Sequence, residues 1–278
     1  MEKLDRLGWA AGTAFVAHGV RVGIRVNEPA VLSRVDEILP LGSRPARSPL
    51  VDHLYSLRSG GADPKRGVLR FNLLYSDAAV RVARSMDIEA VLQALETHLE
   101  LLVAAAARNR LFVHAGVVGW RDQAIVLAGP TFSGKTTLVT ALIRAGATYY
   151  SDEYAVLDGR GRVHPYPKPL SIRNDGCPRS QTCPVEALGG RAGRKPLPVG
   201  LVVTSEYKSG SRWRPRLLSP AQGVLALLSN TVSARSRPRF AMATLKKIAR
   251  RVPVLKGVRG EAEEMIEALL TRLEGKAA

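Results

Sequence analysis

The residues best suited to chemistry are Gly129-Pro130-Thr131-Phe132-Ser133-Gly134-Lys135-Thr136, followed by Thr137. A glycine, four residues and then Gly-Lys-Thr is the spacing of a phosphate-cradling loop. The two glycines allow positive φ and a close backbone approach to an anion. Successive N–H groups can then face the α- and β-phosphates, backed by the positive end of a following helix. Lys135 reaches the β/γ oxygens as a point charge, and the Thr136 hydroxyl can hold one side of a Mg²⁺ ion. These residues point to a nucleoside triphosphate with Mg²⁺.

A second pair of groups follows the loop. In Thr148-Tyr149-Tyr150-Ser151-Asp152-Glu153-Tyr154-Ala155-Val156-Leu157, two apolar segments are interrupted by adjacent acids. Acids at a strand end are costly to bury unless they face a metal or a proton. One could hold Mg²⁺ while the other takes a proton from an attacking hydroxyl; the plainer alternative is that they cap a turn. His114 lies on an apolar strand, where a core histidine with a satisfied hydrogen bond is the competing explanation. Lys168 and Arg173 are open to two roles, as phosphate or acceptor contacts or as solvated loop charges. Arg144 reads as a surface residue.

The surrounding elements must position these groups. Ala124–Ala128 is a short apolar run of strand type, and Leu138, Leu142 and Ile143 fall at helical spacing. Leu111–Val118 is a buried-type strand separated from 124–128 only by a short turn. The two therefore read as a hairpin, which places an antiparallel neighbour beside the loop-bearing strand. Upstream, Asp87 caps a helix running to about Asn109, with Ile88, Val91, Leu92, Leu95, Leu99, Leu102 and Val103 on one face. Residues 1–86 form a small, mostly β unit: strands at 13–17 and 20–26, a short helix within 28–38, a strand at 51–57, and a strand pair over 68–75 and 79–83. His18 and His53 stand alone there, without visible chemistry. Downstream, a strand is expected at 197–205, central in the sheet, and another at 213–218. A helix starting at Ser219-Pro220, a basic helix at 238–251, a strand at 252–258 and a final amphipathic helix at 261–273 complete the chain. The domain division expected is thus 1–86 and 87–278.

The 278 residues carry a formal net charge of +17. Between Arg160 and Gly260 there are 21 Lys/Arg against 3 acids, so the whole excess sits after the phosphate loop. Such a field favours an acidic partner, unless the arginines only solvate loops. The basic loops lack interleaved aromatic residues, which speaks against single-stranded nucleic acid. No apolar run approaches the length of a membrane span and the N-terminal residues do not resemble a signal peptide, so a soluble cytoplasmic protein without a membrane partner is expected. Cys177 and Cys183 are too few for a disulfide framework or a zinc site and read as reduced loop thiols.

His114-Ala115-Gly116-Val117, the phosphate loop, Ser151-Asp152-Glu153 and Pro165-Tyr166-Pro167-Lys168-Pro169-Leu170-Ser171-Ile172-Arg173 occur here in one order. As a set, over about residues 108–272, this resembles the HPr kinase/phosphorylase family. The likeness is greater to the small HPr-kinase-related proteins, some of which modify ribosomal peptides such as lasso-peptide precursors. The resemblance implies an α/β fold: a P-loop kinase domain of HPr kinase/phosphoenolpyruvate carboxykinase type with a mixed sheet, preceded by the small mostly-β unit. It implies ATP, Mg²⁺ and phosphoryl transfer to a serine or other hydroxyl on a peptide or small protein. Asp152 then matches the acid that deprotonates the acceptor, Lys135 and Thr136 the phosphate and metal contacts, and His114 a histidine near the γ-phosphate. Glu153 stands where the family usually has a second Asp, which lengthens its reach toward a metal. The family's Gly-rich segment associated with phosphorolysis has no counterpart in 177–198, so no phosphorylase activity is expected. The HPr enzyme is a hexamer whose neighbours share the site; the segments responsible are not recognisable here, which leaves a homo-oligomer open. Two alternatives remain: a non-catalytic ATP-binding accessory protein and a nucleic-acid-linked ATPase.

Overall fold

The computed structural model describes residues 2–63, 68–77, 80–130, 133–172 and 181–274. The chain divides into two compact units, Met1–Asn109 and Arg110–Ala278.

The first unit begins with the short helix α1 (Glu2–Asp5) and is built on a six-stranded sheet. Strands β1 (Ala11–Ala17) and β2 (Val20–Val26) form the expected hairpin, with positive φ at His18 and Gly19. A 3₁₀ turn at Pro29–Val31 and helix α2 (Leu32–Glu37) follow. Next come β3 (Arg44–Pro45), β4 (His53–Arg58), β5 (Gly61–Asp63), β6 (Val68–Arg70), β7 (Asn72–Tyr75) and β8 (Arg81–Ser85). The sheet order is β3-β1-β2-β4-β7-β8, with β2 and β4 parallel. Phe15, Ile24, Leu57 and Leu74 are fully buried, as period-two alternation requires when one face is covered.

The expected single strand over 68–75 is split. β6 pairs with β5, while β7 pairs with β4 and β8. Asn72 marks the change: its side chain accepts from the Gly60 N–H at 2.8 Å and donates to the Ser85 and Met86 carbonyls at 3.2 and 2.9 Å. Helix α3 (Ile88–Ala106) is capped by Asp87, whose carboxylate accepts from the Glu89 N–H at 2.9 Å. It packs on β7 and β8 through the apolar face that includes Val91, Leu95 and Leu99. The compact units therefore divide after this helix, one element later than the 86/87 boundary drawn from sequence. The cause is that its apolar stripe completes the first sheet.

The second unit is a mixed sheet covered by helices. Strands β9 (Leu111–Trp120) and β10 (Gln123–Ala128) form a hairpin whose turn residues, Arg121 and Asp122, both have positive φ. Helix α4 (Lys135–Arg144) leads to β11 (Thr148–Ser151), β12 (Tyr154–Leu157), β13 (Arg162–His164), β14 (Leu170–Ile172) and β15 (Gln181–Cys183). Then follow β16 (Leu197–Tyr207), β17 (Arg216–Leu217), α5 (Pro220–Leu228), α6 (Pro238–Arg251), β18 (Val254–Arg259) and α7 (Glu263–Glu274). β16 is central: it runs parallel to β10 on one side and to β18 on the other. β9 is antiparallel to β10, as the short 119–123 turn requires.

Alternation along β10 sorts the two covering layers. Ile125 and Leu127 join a core with Leu142 of α4 and Met265 and Leu269 of α7. Ala124 and Val126 face the other way, into a core with Val224 of α5 and Leu245 and Ile248 of α6. A strand buried on both faces reads as a continuous apolar run, which is what 124–128 is. The strand expected over 213–218 shrinks to two residues. Pro215 lacks an N–H for the ladder, and Trp213 instead packs against the backbone at Gly257. No helix among the described residues is long and apolar enough to cross a membrane. Cys183 has no disulfide, and Cys177 lies outside the described residues.

Candidate functional site

The loop 129–134 leaves the C-terminal end of β10 and enters α4, the strand–loop–helix order its motif demands. Gly134, at the N-cap of α4, has φ +79, a conformation that favours glycine. The first glycine differs from expectation, because Gly129 is not among the residues with positive φ. Its requirement is space instead: a Cβ there would lie 2.7 Å from Ser133 Oγ. Pro130 turns the loop by accepting from the Ser133 N–H at 3.3 Å. Lys135 Nζ donates to the Gly129 carbonyl at 2.9 Å and the Pro130 carbonyl at 2.7 Å, so two of its three protons hold the loop together. Thr131 and Phe132 lie outside the described residues.

A cavity of about 730 Å³ opens beside α4. Gly134, Lys135, Thr136 and Thr137 line one side of it, and His114, Asp152, Glu153 and Lys168 line another. The tertiary structure thus brings most of the sequence-derived candidates to one hollow. Arg173 lies outside the described residues.

Asp152 sits between β11 and β12 and is mostly withdrawn from water. Thr136 Oγ1 donates to its Oδ2 at 3.2 Å. The Tyr149 hydroxyl has one proton for two acceptors, the Lys168 carbonyl at 2.6 Å and Asp152 Oδ1 at 3.2 Å. Burial pushes the Asp152 carboxyl above its usual value, against hydrogen bonds from Tyr149, Thr136 and the Ser171 backbone that favour the anion. Burial also raises Tyr149, with the Asp152 charge adding to it. Lys135 is lowered by burial, opposed by the charges of Asp152 and Glu153. His114 is lowered by burial and then by the Lys135 charge, against a hydrogen bond to the Glu153 carbonyl. Its ring lies on Tyr154 with centroids 4.8 Å apart. A cavity lined by three groups displaced toward neutrality is a candidate functional site.

Glu153 is more open and faces Lys168, with Nζ 3.8 Å from Oε2. Thr136, Asp152 and Glu153 make an all-oxygen donor set, which suits a hard cation completed by water and phosphate oxygens. No group of three or more His, Cys, Asp or Glu side chains around one point occurs among the described residues. Mg²⁺ does not need one, since one or two carboxylates plus phosphate are its common partners.

No family model and no curated protein matches this chain. One solved structure similar to it is the HPr(Ser) kinase/phosphatase from Coxiella burnetii. That similarity has a TM-score of 0.33 and 14% identity, and covers 60% of this chain and 97% of that one.

Sequence reasoning passed over Tyr149, whose hydroxyl touches Asp152, because a tyrosine in an apolar strand reads as core. It also passed over Glu263 at the start of α7, which reaches the cavity from far along the chain. Arg144 is exposed, as expected, yet borders the same cavity.

Proposed function

We propose that the chain is an ATP- and Mg²⁺-dependent kinase that transfers the γ-phosphoryl group to a serine or other hydroxyl of a peptide or small protein. The observation that carries the proposal is the Thr136 hydroxyl donating to a half-buried carboxylate, Asp152, beside Lys135 at the mouth of a glycine-bounded loop. The order His114, phosphate loop, Asp152-Glu153 and Lys168, read as an HPr-kinase-like set, supports the same reaction and a ribosomally made peptide as acceptor.

The N–H groups of the loop and the N-terminus of α4 would hold the phosphates, with Lys135 at the β/γ oxygens. Thr136 and Glu153 would hold Mg²⁺, which when bound offsets phosphate charge. Asp152 accepts the proton of the acceptor hydroxyl. The acceptor oxygen forms a bond to the γ-phosphorus, the bond to the β,γ-bridging oxygen breaks, and ADP leaves with that electron pair. The raised affinity of Asp152 for a proton suits it to this step, since a base near the working pH transfers protons efficiently. His114, held neutral, can donate a hydrogen bond without adding a second cation beside Lys135.

The test is transfer from γ-labelled ATP with Mg²⁺ to hydroxyl-bearing peptides encoded beside the gene, for wild type and Asp152→Asn. A general base contributes about a hundred- to ten-thousandfold, so the variant should bind ATP and lose transfer by that order. Tight ATP binding without transfer by either protein would instead favour an accessory ATP-binding module.

A further inference from the structure

The proposed nucleotide site leaves one strong charge unused. Arg259 ends β18 and is 2% exposed. It does not line the cavity. Its Nη2 donates to the Gly134 carbonyl at 3.0 Å and its Nη1 to the Gly260 carbonyl at 2.9 Å. Its Nε is buried with no acceptor among the described residues. The guanidinium lies over the Tyr207 ring, 5.3 Å from the centroid. Glu261 and Glu263 act on it only through space, and the Glu261 carboxylate accepts from the Tyr207 hydroxyl at 2.9 Å. Burial pulls the guanidinium below its usual pKa.

A buried guanidinium held by carbonyls rather than by a carboxylate is only partly compensated, here by Glu261 and Glu263 acting from a distance. Here it stands behind the N-terminus of α4, where positive potential is already concentrated. It also fits the loop closely: a Cβ on Gly134 would lie 2.2 Å from Nη2. The second glycine of the motif is favoured by its φ, and a side chain there would have to displace Arg259.

We infer that Arg259 is a positioning residue of the phosphate loop, which pins the Gly134 carbonyl and lends buried positive charge to the phosphates of a bound nucleotide without touching them. The charge part rests on the proposed nucleotide reading; the pinning part does not. β18 and the loop are 125 residues apart in sequence and are joined by this hydrogen bond.

The experiment uses the full chain as wild type, Arg259→Met and Arg259→Lys. Calorimetry with ATP, ADP and AMP measures the charge, and amide hydrogen exchange without nucleotide measures the pinning. Arg259→Met should weaken ATP by about tenfold, with smaller losses for ADP and AMP, and Arg259→Lys should recover part of the ATP loss. Exchange at the loop and the first turn of α4 should quicken in Arg259→Met while the rest of the sheet stays protected. Equal losses for all three nucleotides, or none, would overturn the charge role, and unchanged loop exchange would overturn the pinning. If the wild type binds no nucleotide, the nucleotide proposal fails by itself and exchange alone judges Arg259. If Arg259→Met does not fold, the same comparisons are made with Arg259→Lys, where the outcomes are smaller but of the same sign.

Discussion

Two charge clusters, one in each unit, behave in opposite ways. In the first, a carboxylate pairs with arginines near the start of β2 and β4: Asp52 meets Arg21 at 2.9 Å and Arg108 at 3.1 Å. The Arg21 side-chain hydrogen bond, above all, holds Asp52 down to about 2, the ordinary response of a solvated ion pair. In the second, Asp152, Lys135, His114 and Arg259 are each moved toward neutrality, with burial as the first cause. A protein gains little stability by drawing such groups out of water. Their clustering around one loop is the feature on which the proposed ligand site rests.

Removing the central charge is the harshest trial of that contrast. Lys135→Ala deletes the cation and its hold on the Gly129 and Pro130 carbonyls. ATP affinity should fall by about a hundredfold or more, measured by calorimetry. Affinity close to wild type would mean that the cavity is not a phosphate site.

A smaller effect should appear in stability. Because the folded-state pKa of Asp152 is raised, the folded protein binds this proton more tightly than the unfolded chain does. Its contribution is therefore most favourable at low pH and is lost as pH rises from the usual carboxylate value through the raised one. Asp152→Asn should thus stabilise the ligand-free protein at pH 7 even as it cuts transfer. Urea unfolding at pH 4 and pH 7 reads this directly: the gain should be present at pH 7 and shrink at pH 4. A variant that is less stable at pH 7 would place Asp152 with the ordinary structural ion pairs.

The smallest change belongs to the first unit. The depressed Asp52 pKa contributes stability above the usual carboxylate value, lost as pH falls toward about 2. For so open a pair, Asp52→Asn should barely move the urea midpoint at pH 7 and leave ATP affinity untouched. A weakened ATP affinity would give the first unit a part in binding and end the contrast.

Much of the architecture was legible because the periodicities were strong. The run 124–128, apolar at every position, read as a strand, and Asp87 and Ser219-Pro220 announced helix starts through side-chain caps. Elements were misjudged where a single polar residue redirected the backbone, as Asn72 does between β6 and β7. The hairpin of β14 and β15 escaped because three-residue strands carry too little alternation to register.

The sequence by itself determined the loop, its lysine and hydroxyl, and the acids at 152 and 153, because each is a local pattern of residue types at fixed spacing. Only the tertiary structure decided that Thr136 donates to Asp152, that Tyr149 shares a proton with it, and that Arg259 backs Gly134. Two of those contacts join residues far apart in the chain, and the third, from Tyr149 to Asp152, needs the turn after β11. Their strength depends on burial, which no short stretch of sequence specifies.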